Sequence, residues 1–238
     1  MRAIRGLVFD KDGTLFDFRA TWGAWTRALL LELTQGEDAR AAAVGRVIGY
    51  DLASGDFAPD SYVIAHTPEE IADRMIPHLP GVERAALVAR MSSLATETAL
   101  VAATDLPPLF AALKGAGLYV GLATNDFAAP AEAHLRQAGV RQFFDFVAGF
   151  DSGHGAKPAP GPLLAFAASG GLDPAEVAMV GDSVHDLVAG RAAGMRTVGV
   201  LTGIALAAEL APHADVVLPH IGHLPDWVAS VHEAAEVR

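Results

Sequence analysis

The stretch Ile4-Arg5-Gly6-Leu7-Val8-Phe9-Asp10-Lys11-Asp12-Gly13-Thr14 decides how the rest of the chain is read. Leu7, Val8 and Phe9 make a short apolar run with a β-branched and an aromatic member, which predicts a buried strand. The run stops at two carboxylates one residue apart, followed by glycine and threonine. In an open α/β sheet, ligands bind at the C-terminal ends of the strands. Asp10 and Asp12 would repel one another there unless a cation or a shared proton compensates. Such a pair suits a carboxylate nucleophile beside a carboxylic acid/base, with a divalent metal holding the charges together. The plain alternative is a turn, because Asp-Gly is a common turn dipeptide and Asp a common N-cap.

Working outward, the chain changes character twice. Thr21 to Leu33 has helical periodicity, with Trp22, Trp25, Leu29 and Leu33 on one face, a stripe that reads as packing. Glu37 to Gly49 predicts a second helix, and Tyr50 to His66, rich in Gly, Pro, Ser and Asp, predicts a loop. Thr67-Pro68-Glu69-Glu70 is a capping box opening a helix to about His78, and Gly81 to about Leu100 predicts another. No strand is expected between Phe16 and Leu100. From Pro107 onward, helices and strands alternate. Strands are predicted at 118–123, 143–148, 177–180, 197–200 and 215–218, with helices at 107–116, 130–138, 162–169 and 187–193 between them. That rhythm implies βαβ units and a doubly wound parallel sheet with helices on both faces, an α/β fold.

A crossover between neighbouring parallel strands needs a dozen residues or more, yet about a hundred separate Thr14 from Leu118. The expected organisation is an α/β catalytic core of residues 1–15 and 101–238. A helical cap domain, 16–100, is inserted directly after the first carboxylates and sits over the site like a lid.

Composition narrows the function classes. The 238 residues are 52% hydrophobic and 19% charged, as expected of a folded globular protein. A net charge of −11 argues against nucleic acid or an anionic membrane as partner. There is no cysteine, hence no disulfide, thiolate metal site or cysteine nucleophile, which suits a reducing cytoplasm. Neither a signal peptide nor a bilayer-spanning run is expected, so the reading is of a soluble protein. Its oligomeric state is left open.

Later strand ends carry polar residues of one logic. The strand ending at 123 runs into Thr124-Asn125, whose hydroxyl and amide, with a helix N-terminus, suit a phosphate oxygen. Thr124 would equally serve as an N-cap. The strand ending at 180 runs into Gly181-Asp182-Ser183, with Asp186 one helical turn beyond. Two such carboxylates suit Mg²⁺, although an N-cap at Asp182 and a solvated Asp186 would read the same way. Lys157 is one of only three lysines against fourteen arginines, in a proline-stiffened loop where a fixed ammonium could neutralise a nucleophile and a phosphate.

Asp10-Lys-Asp12-Gly-Thr14, Leu122-Ala-Thr124-Asn125, Ala156-Lys157-Pro158 and Gly181-Asp182-Ser-Val-His-Asp186 together resemble the haloacid dehalogenase-like hydrolases. Nearly the whole chain is similar to that family's capped phosphatase branch, the phosphoglycolate phosphatases among them. The resemblance implies Asp10 as nucleophile forming an aspartyl-phosphate and Asp12 as acid and then base. It implies Thr124, Asn125, Lys157 and the backbone N–H groups after Asp10 as phosphate ligands. Mg²⁺ would be held by Asp10, the Asp12 carbonyl, Asp182 and Asp186, the last directly or through a hydrogen bond. Lys11 is expected to point away, since alternate strand residues face opposite sides.

The implied activity is Mg²⁺-dependent hydrolysis of a small phosphomonoester, phosphoglycolate-like or a sugar phosphate. A phosphomutase on the same scaffold is the alternative, and a catalytically lapsed binding module a further one. Family dehalogenases lack the second aspartate, and family phosphonatases use a cap lysine, whereas 15–100 contain none. Arg19, His66 and Arg74 are candidates for contacting a substrate carboxylate or hydroxyl from the cap.

Overall fold

All four residues of Gly6–Phe9, strand β1, are buried, as a run with no polar alternation requires of a strand covered on both faces. The computed structural model describes residues 2–64 and 66–236. After β1 come helices α1 (Phe18–Leu33) and α2 (Asp38–Val47), then a two-stranded antiparallel hairpin, β2 (Tyr50–Asp51) and β3 (Asp56–Phe57). Helices α3 (Pro68–Met75) and α4 (Arg84–Thr96) follow. The alternating part then runs α5 (Leu106–Gly115), β4 (Tyr119–Ala123), α6 (Ala128–Gln137), β5 (Phe146–Ala148), α7 (Gly161–Ser169) and β6 (Val177–Gly181). It closes with α8 (Val184–Ala192), β7 (Arg196–Val200), α9 (Ala207–Leu210), β8 (Val216–Leu218) and α10 (Leu224–Glu236).

Six strands form one parallel sheet in the order β5-β4-β1-β6-β7-β8. The chain builds outward from β1 through β4 to β5, then returns to the other side of β1 for β6. This reversal makes the switch point where such sheets bind ligands. Phe9 pairs in register with Leu122 and Val180, so the ends of β1, β4 and β6 lie level.

The period of two in β1 divides the core. Leu7 and Phe9 join the cluster that includes Phe110 of α5 and Val228 and Val231 of α10, while Val8 joins Leu163 and Phe166 of α7. A third cluster is built from residues between Phe18 and Ala95, with Ile204 its one contribution from elsewhere. The helical segment therefore has an apolar core of its own.

Local chemistry explains where these elements begin. Helix α1 starts three residues earlier than periodicity suggested, because the Asp17 carboxylate accepts from the Ala20 N–H. Thr67 and Glu70 close the capping box expected of α3. The hairpin corrects the loop expected over 50–66. Its strands are two residues each, and the buried Tyr50 hydroxyl donates to Gly23 O at 2.7 Å. Helix α10, with buried Leu224, Val228 and Val231, was not anticipated. Among the described residues no helix is long and apolar enough to cross a membrane.

Candidate active site

Asp10 is the residue after β1, Thr124 the residue after β4, and Asp182 the residue after β6, so the level strand ends bring all three to one edge. The Asp10 N–H donates to Val180 O at 2.9 Å, which ties the end of β1 to β6. Gly13, at φ +85°, turns the chain back, and its N–H donates to Phe16 O at 2.7 Å. Lys157 reaches this edge from the loop before α7. Its buried Nζ donates to Asp10 Oδ1 at 2.5 Å and to Asp186 Oδ1 at 2.6 Å. Asn125 fixes that loop: the Lys157 N–H donates to Asn125 Oδ1, and Asn125 Nδ2 donates to Lys157 O, both at 2.9 Å.

The capping box of α8 sets Asp186. Its Oδ2 accepts from Ser183 Oγ at 2.6 Å and from the Ser183 N–H at 3.1 Å, so Oδ1 is directed to Lys157. Ser183, and not Asp182, is the N-cap of that helix. Thr124 is not an N-cap either: α6 begins after Phe127, and Thr124 Oγ1 accepts from the Asp126 N–H at 3.1 Å.

Asp182 is buried, and its Oδ2 has no hydrogen-bond partner among the described residues. Gly13 and Gly203 flank that carboxylate so closely that a Cβ on either would overlap it. Ligand oxygens of Asp10, Asp182 and Asp186 lie within 4.8 Å of one another. An orphaned buried oxygen within an all-oxygen donor set fits a hard divalent cation. Burial, then repulsion from Asp186, pushes the Asp10 carboxyl up to about 7, although Lys157 opposes the rise. Burial and the Asp10 and Asp186 charges hold Asp182 well above the usual carboxylate range. Burial alone would lower Lys157, but Asp10 and Asp186 more than offset it and keep the ammonium charged. Three buried carboxylates thus face one ammonium, two positive charges short of balance when all are ionised.

The Asp12 side chain lies outside that carboxylate cluster. Its Oδ1 accepts from the indole N–H of Trp22 at 2.9 Å, and its Oδ2 is 3.1 Å from Lys11 Nζ. Lys11 is fully buried and shares no partner with Asp10, but it does not leave the site as the strand period suggested. Its ammonium also donates to Asp126 Oδ2 at 2.5 Å and lies 3.2 Å from His134 Nδ1. His134 Nε2 is 2.7 Å from Ala95 O, so Nε2–H donates there and Nδ1 accepts from Lys11. Burial and the Lys11 charge hold this imidazole below its ordinary pKa, consistent with that neutral tautomer. Asp12 is therefore gripped by α1 on one side and, through Lys11 and His134, by α6 and the end of α4 on the other. Trp22, Lys11, Asp126 and His134 were not read as site residues. The only signal was a lysine lying between two aspartates.

A model of the haloacid dehalogenase-like hydrolases matches residues 4–194. The chain belongs to that family. It is 28% identical over 229 residues to an N-acetylmuramic acid 6-phosphate phosphatase from Pseudomonas aeruginosa, covering 94% of each chain. It is 29% identical over 235 residues to a phosphoglycolate phosphatase from Yersinia pseudotuberculosis, covering 94% of this chain and 92% of that one. A β-phosphoglucomutase structure from Clostridium difficile shares the fold with a TM-score of 0.69 at 18% identity, over 99% of this chain and 100% of that one.

In this haloacid dehalogenase-like hydrolase, the helices of the 18–96 segment close over the strand edge. The cavity between them is lined by Asp10, Asp12, Thr124, Asn125, Lys157 and Asp186 on the sheet side. Of the three residues expected to reach a substrate from above, only His66 lines it. His66 stacks on Tyr62 with ring centroids 3.5 Å apart, and its Nδ1–H donates to Tyr62 O at 2.7 Å. Arg19 is exposed and pairs with Asp56. Arg74 lies over the Tyr62 ring, 4.4 Å from its centroid, and donates to Val47 O.

Proposed function

We propose that this hydrolase is a Mg²⁺-dependent phosphatase that acts on a small phosphorylated metabolite through an aspartyl-phosphate on Asp10. The observation that carries the reading is the buried Lys157 ammonium between Asp10 and Asp186, beside the unpartnered oxygen of Asp182. An Asp10 oxygen attacks phosphorus as the bond to the leaving oxygen breaks, and Asp12 gives that oxygen its proton. Asp12 then takes a proton from the water that attacks the same phosphorus, and Asp10 is released as carboxylate. Thr124, Asn125 and the backbone N–H groups after Asp10 hold phosphate oxygens, and Lys157 offsets their charge. Trp22 and Lys11 orient Asp12. Mg²⁺, held by Asp10, Asp182, Asp186 and the Asp12 carbonyl, would supply the remaining charge neutralisation.

The same reading takes residues 1–15 and 101–238 as the catalytic unit and 16–100 as a cap that shields the site from water. The separate apolar cluster of the helical segment supports that division. The lack of cysteine fits a reducing compartment, and we place the reaction in the cytoplasm. Phosphoglycolate, N-acetylmuramic acid 6-phosphate and other sugar phosphates are the first substrates to assay, from the names of the relatives.

The test is phosphate release from such a panel with Mg²⁺ and with chelator, comparing wild type and Asp10→Asn. Metal-dependent release that disappears in Asp10→Asn is expected. Substantial turnover surviving that substitution would remove the covalent route. A folded protein that binds Mg²⁺ and releases no phosphate would move the reading to a phosphomutase or a lapsed binding module.

A further inference from the structure

The two walls of the cavity above Asp10 differ in chemistry. The sheet side supplies its charged groups, while the helical side presents Trp25, Val63, Ile64 and Pro68, with the more buried Ile71 and Met91. No aspartate, glutamate, lysine or arginine from 16–100 lines it among the described residues. What polarity that wall has comes from the Thr26 and Ser92 hydroxyls, the His66 imidazole and the tryptophan N–H groups. Trp25 Nε1 is buried without a partner among the described residues, and Trp22 Nε1 is committed to Asp12. Lys157, the one lysine or arginine in the lining, is held between Asp10 and Asp186.

An anionic group on the organic half of a substrate would lose its hydration against this wall and meet no fixed counter-charge. An uncharged apolar group meets surface of its own character.

We infer that the substrate is the phosphate ester of an uncharged, mainly apolar alcohol. This assignment rests on the phosphatase reading above. Phosphoglycolate and N-acetylmuramic acid 6-phosphate each carry a carboxylate, so it separates this chain from the substrates its relatives are named for.

The experiment compares kcat/KM for benzyl phosphate and 3-methylbutyl phosphate with that for 2-phosphoglycolate and glucose 6-phosphate, all with Mg²⁺. All four release an alkoxide oxygen, so the comparison reads the organic group. The two apolar esters are expected to lead by about tenfold or more. A lead for 2-phosphoglycolate or glucose 6-phosphate would overturn the assignment and leave the phosphatase intact. Release from none of the four would overturn the phosphatase reading instead. The cavity is then decided by titrating the Mg²⁺-loaded protein with benzylphosphonate and phosphonoacetate, which are not hydrolysed. Tighter benzylphosphonate supports the assignment, and equal or weaker binding overturns it. Ser92→Lys adds an ammonium to the helical wall at a half-buried position. It should narrow the preference for benzyl phosphate over 2-phosphoglycolate by about tenfold, and an unchanged ratio in the folded variant counts against the charge argument.

Discussion

Lys157 is the only described cation paired with either Asp10 or Asp186. Replacing it with Met keeps much of the packing and leaves two buried carboxylates without a counter-charge, a loss of about 3–5 kcal/mol where both stay ionised. Protonation relieves part of that loss. Asp10, already pushed up to about 7, moves higher without the ammonium, while in the unfolded chain it ionises near its ordinary value. A folded-state pKa raised in this way contributes stability at low pH that is lost as pH rises through it. Urea unfolding should therefore show Lys157→Met losing more stability at about pH 7.5 than at about pH 5. An equal loss at both would mean Lys157 is not compensating charge. Gly203→Ala tests the other half of the site. Its Cβ would overlap the Asp182 carboxylate, so metal affinity by calorimetry should fall by about 10–100-fold with the fold retained. At this scale Asp10, Asp12, Thr124 and Asp182 were legible because they follow strand ends, Lys157 because it lies in a proline-stiffened loop, and Asp186 because it stands one helical turn beyond Asp182. Lys11 was not, since its partners Asp126 and His134 stand 115 and 123 residues away and only the folded chain brings them together.

Elements carry these residues, and where two elements meet the chemistry becomes conformational. Helix α6 presents His134 to the Ala95 carbonyl at the end of α4, and the same ring accepts from Lys11 behind Asp12. The imidazole is held neutral in the folded protein by burial and by Lys11, whereas in the unfolded chain it protonates near about pH 6.5. A depressed folded-state pKa contributes stability that is present above that value and lost as pH falls. Thermal unfolding of His134→Gln should consequently be less sensitive than wild type between about pH 7 and pH 5. Parallel pH dependence in the two proteins would mean the ring does not hold the two helices through its neutral form. Helix and strand order was legible from periodicity, and Thr67-Pro68-Glu69-Glu70 located α3 directly. The β2–β3 hairpin escaped because two-residue strands have no period to read. Helix α10 was missed although Leu224, Trp227, Val228 and Val231 recur at helical spacing, a signal the sequence carried.

At the scale of the whole molecule, a parallel sheet with its own two-sided core faces a helical segment with another, and the carboxylates lie where they meet. The sequence carries eleven more negative than positive charges, and three of its carboxylates are buried around one ammonium. A structure that takes such charge out of water favours whichever state supplies a cation to it. Ligand that binds only the folded state stabilises by RT ln(1 + [L]/Kd), about 2.7 kcal/mol at a hundredfold excess over Kd. Mg²⁺ added to the metal-free protein should accordingly raise Tm, by several degrees at saturation, since about 1 kcal/mol shifts a chain of this size by roughly 2–4 °C. Asp182→Asn removes one of the three charges and replaces an acceptor-only group with an amide. It should leave the metal-free protein as stable as wild type or more so, because less charge is buried, and should lose most of the Mg²⁺ increment. Differential scanning calorimetry of both proteins with and without Mg²⁺ makes the comparison. A full increment retained in Asp182→Asn would place the cation elsewhere, and the unpartnered oxygen of Asp182 would then need another explanation.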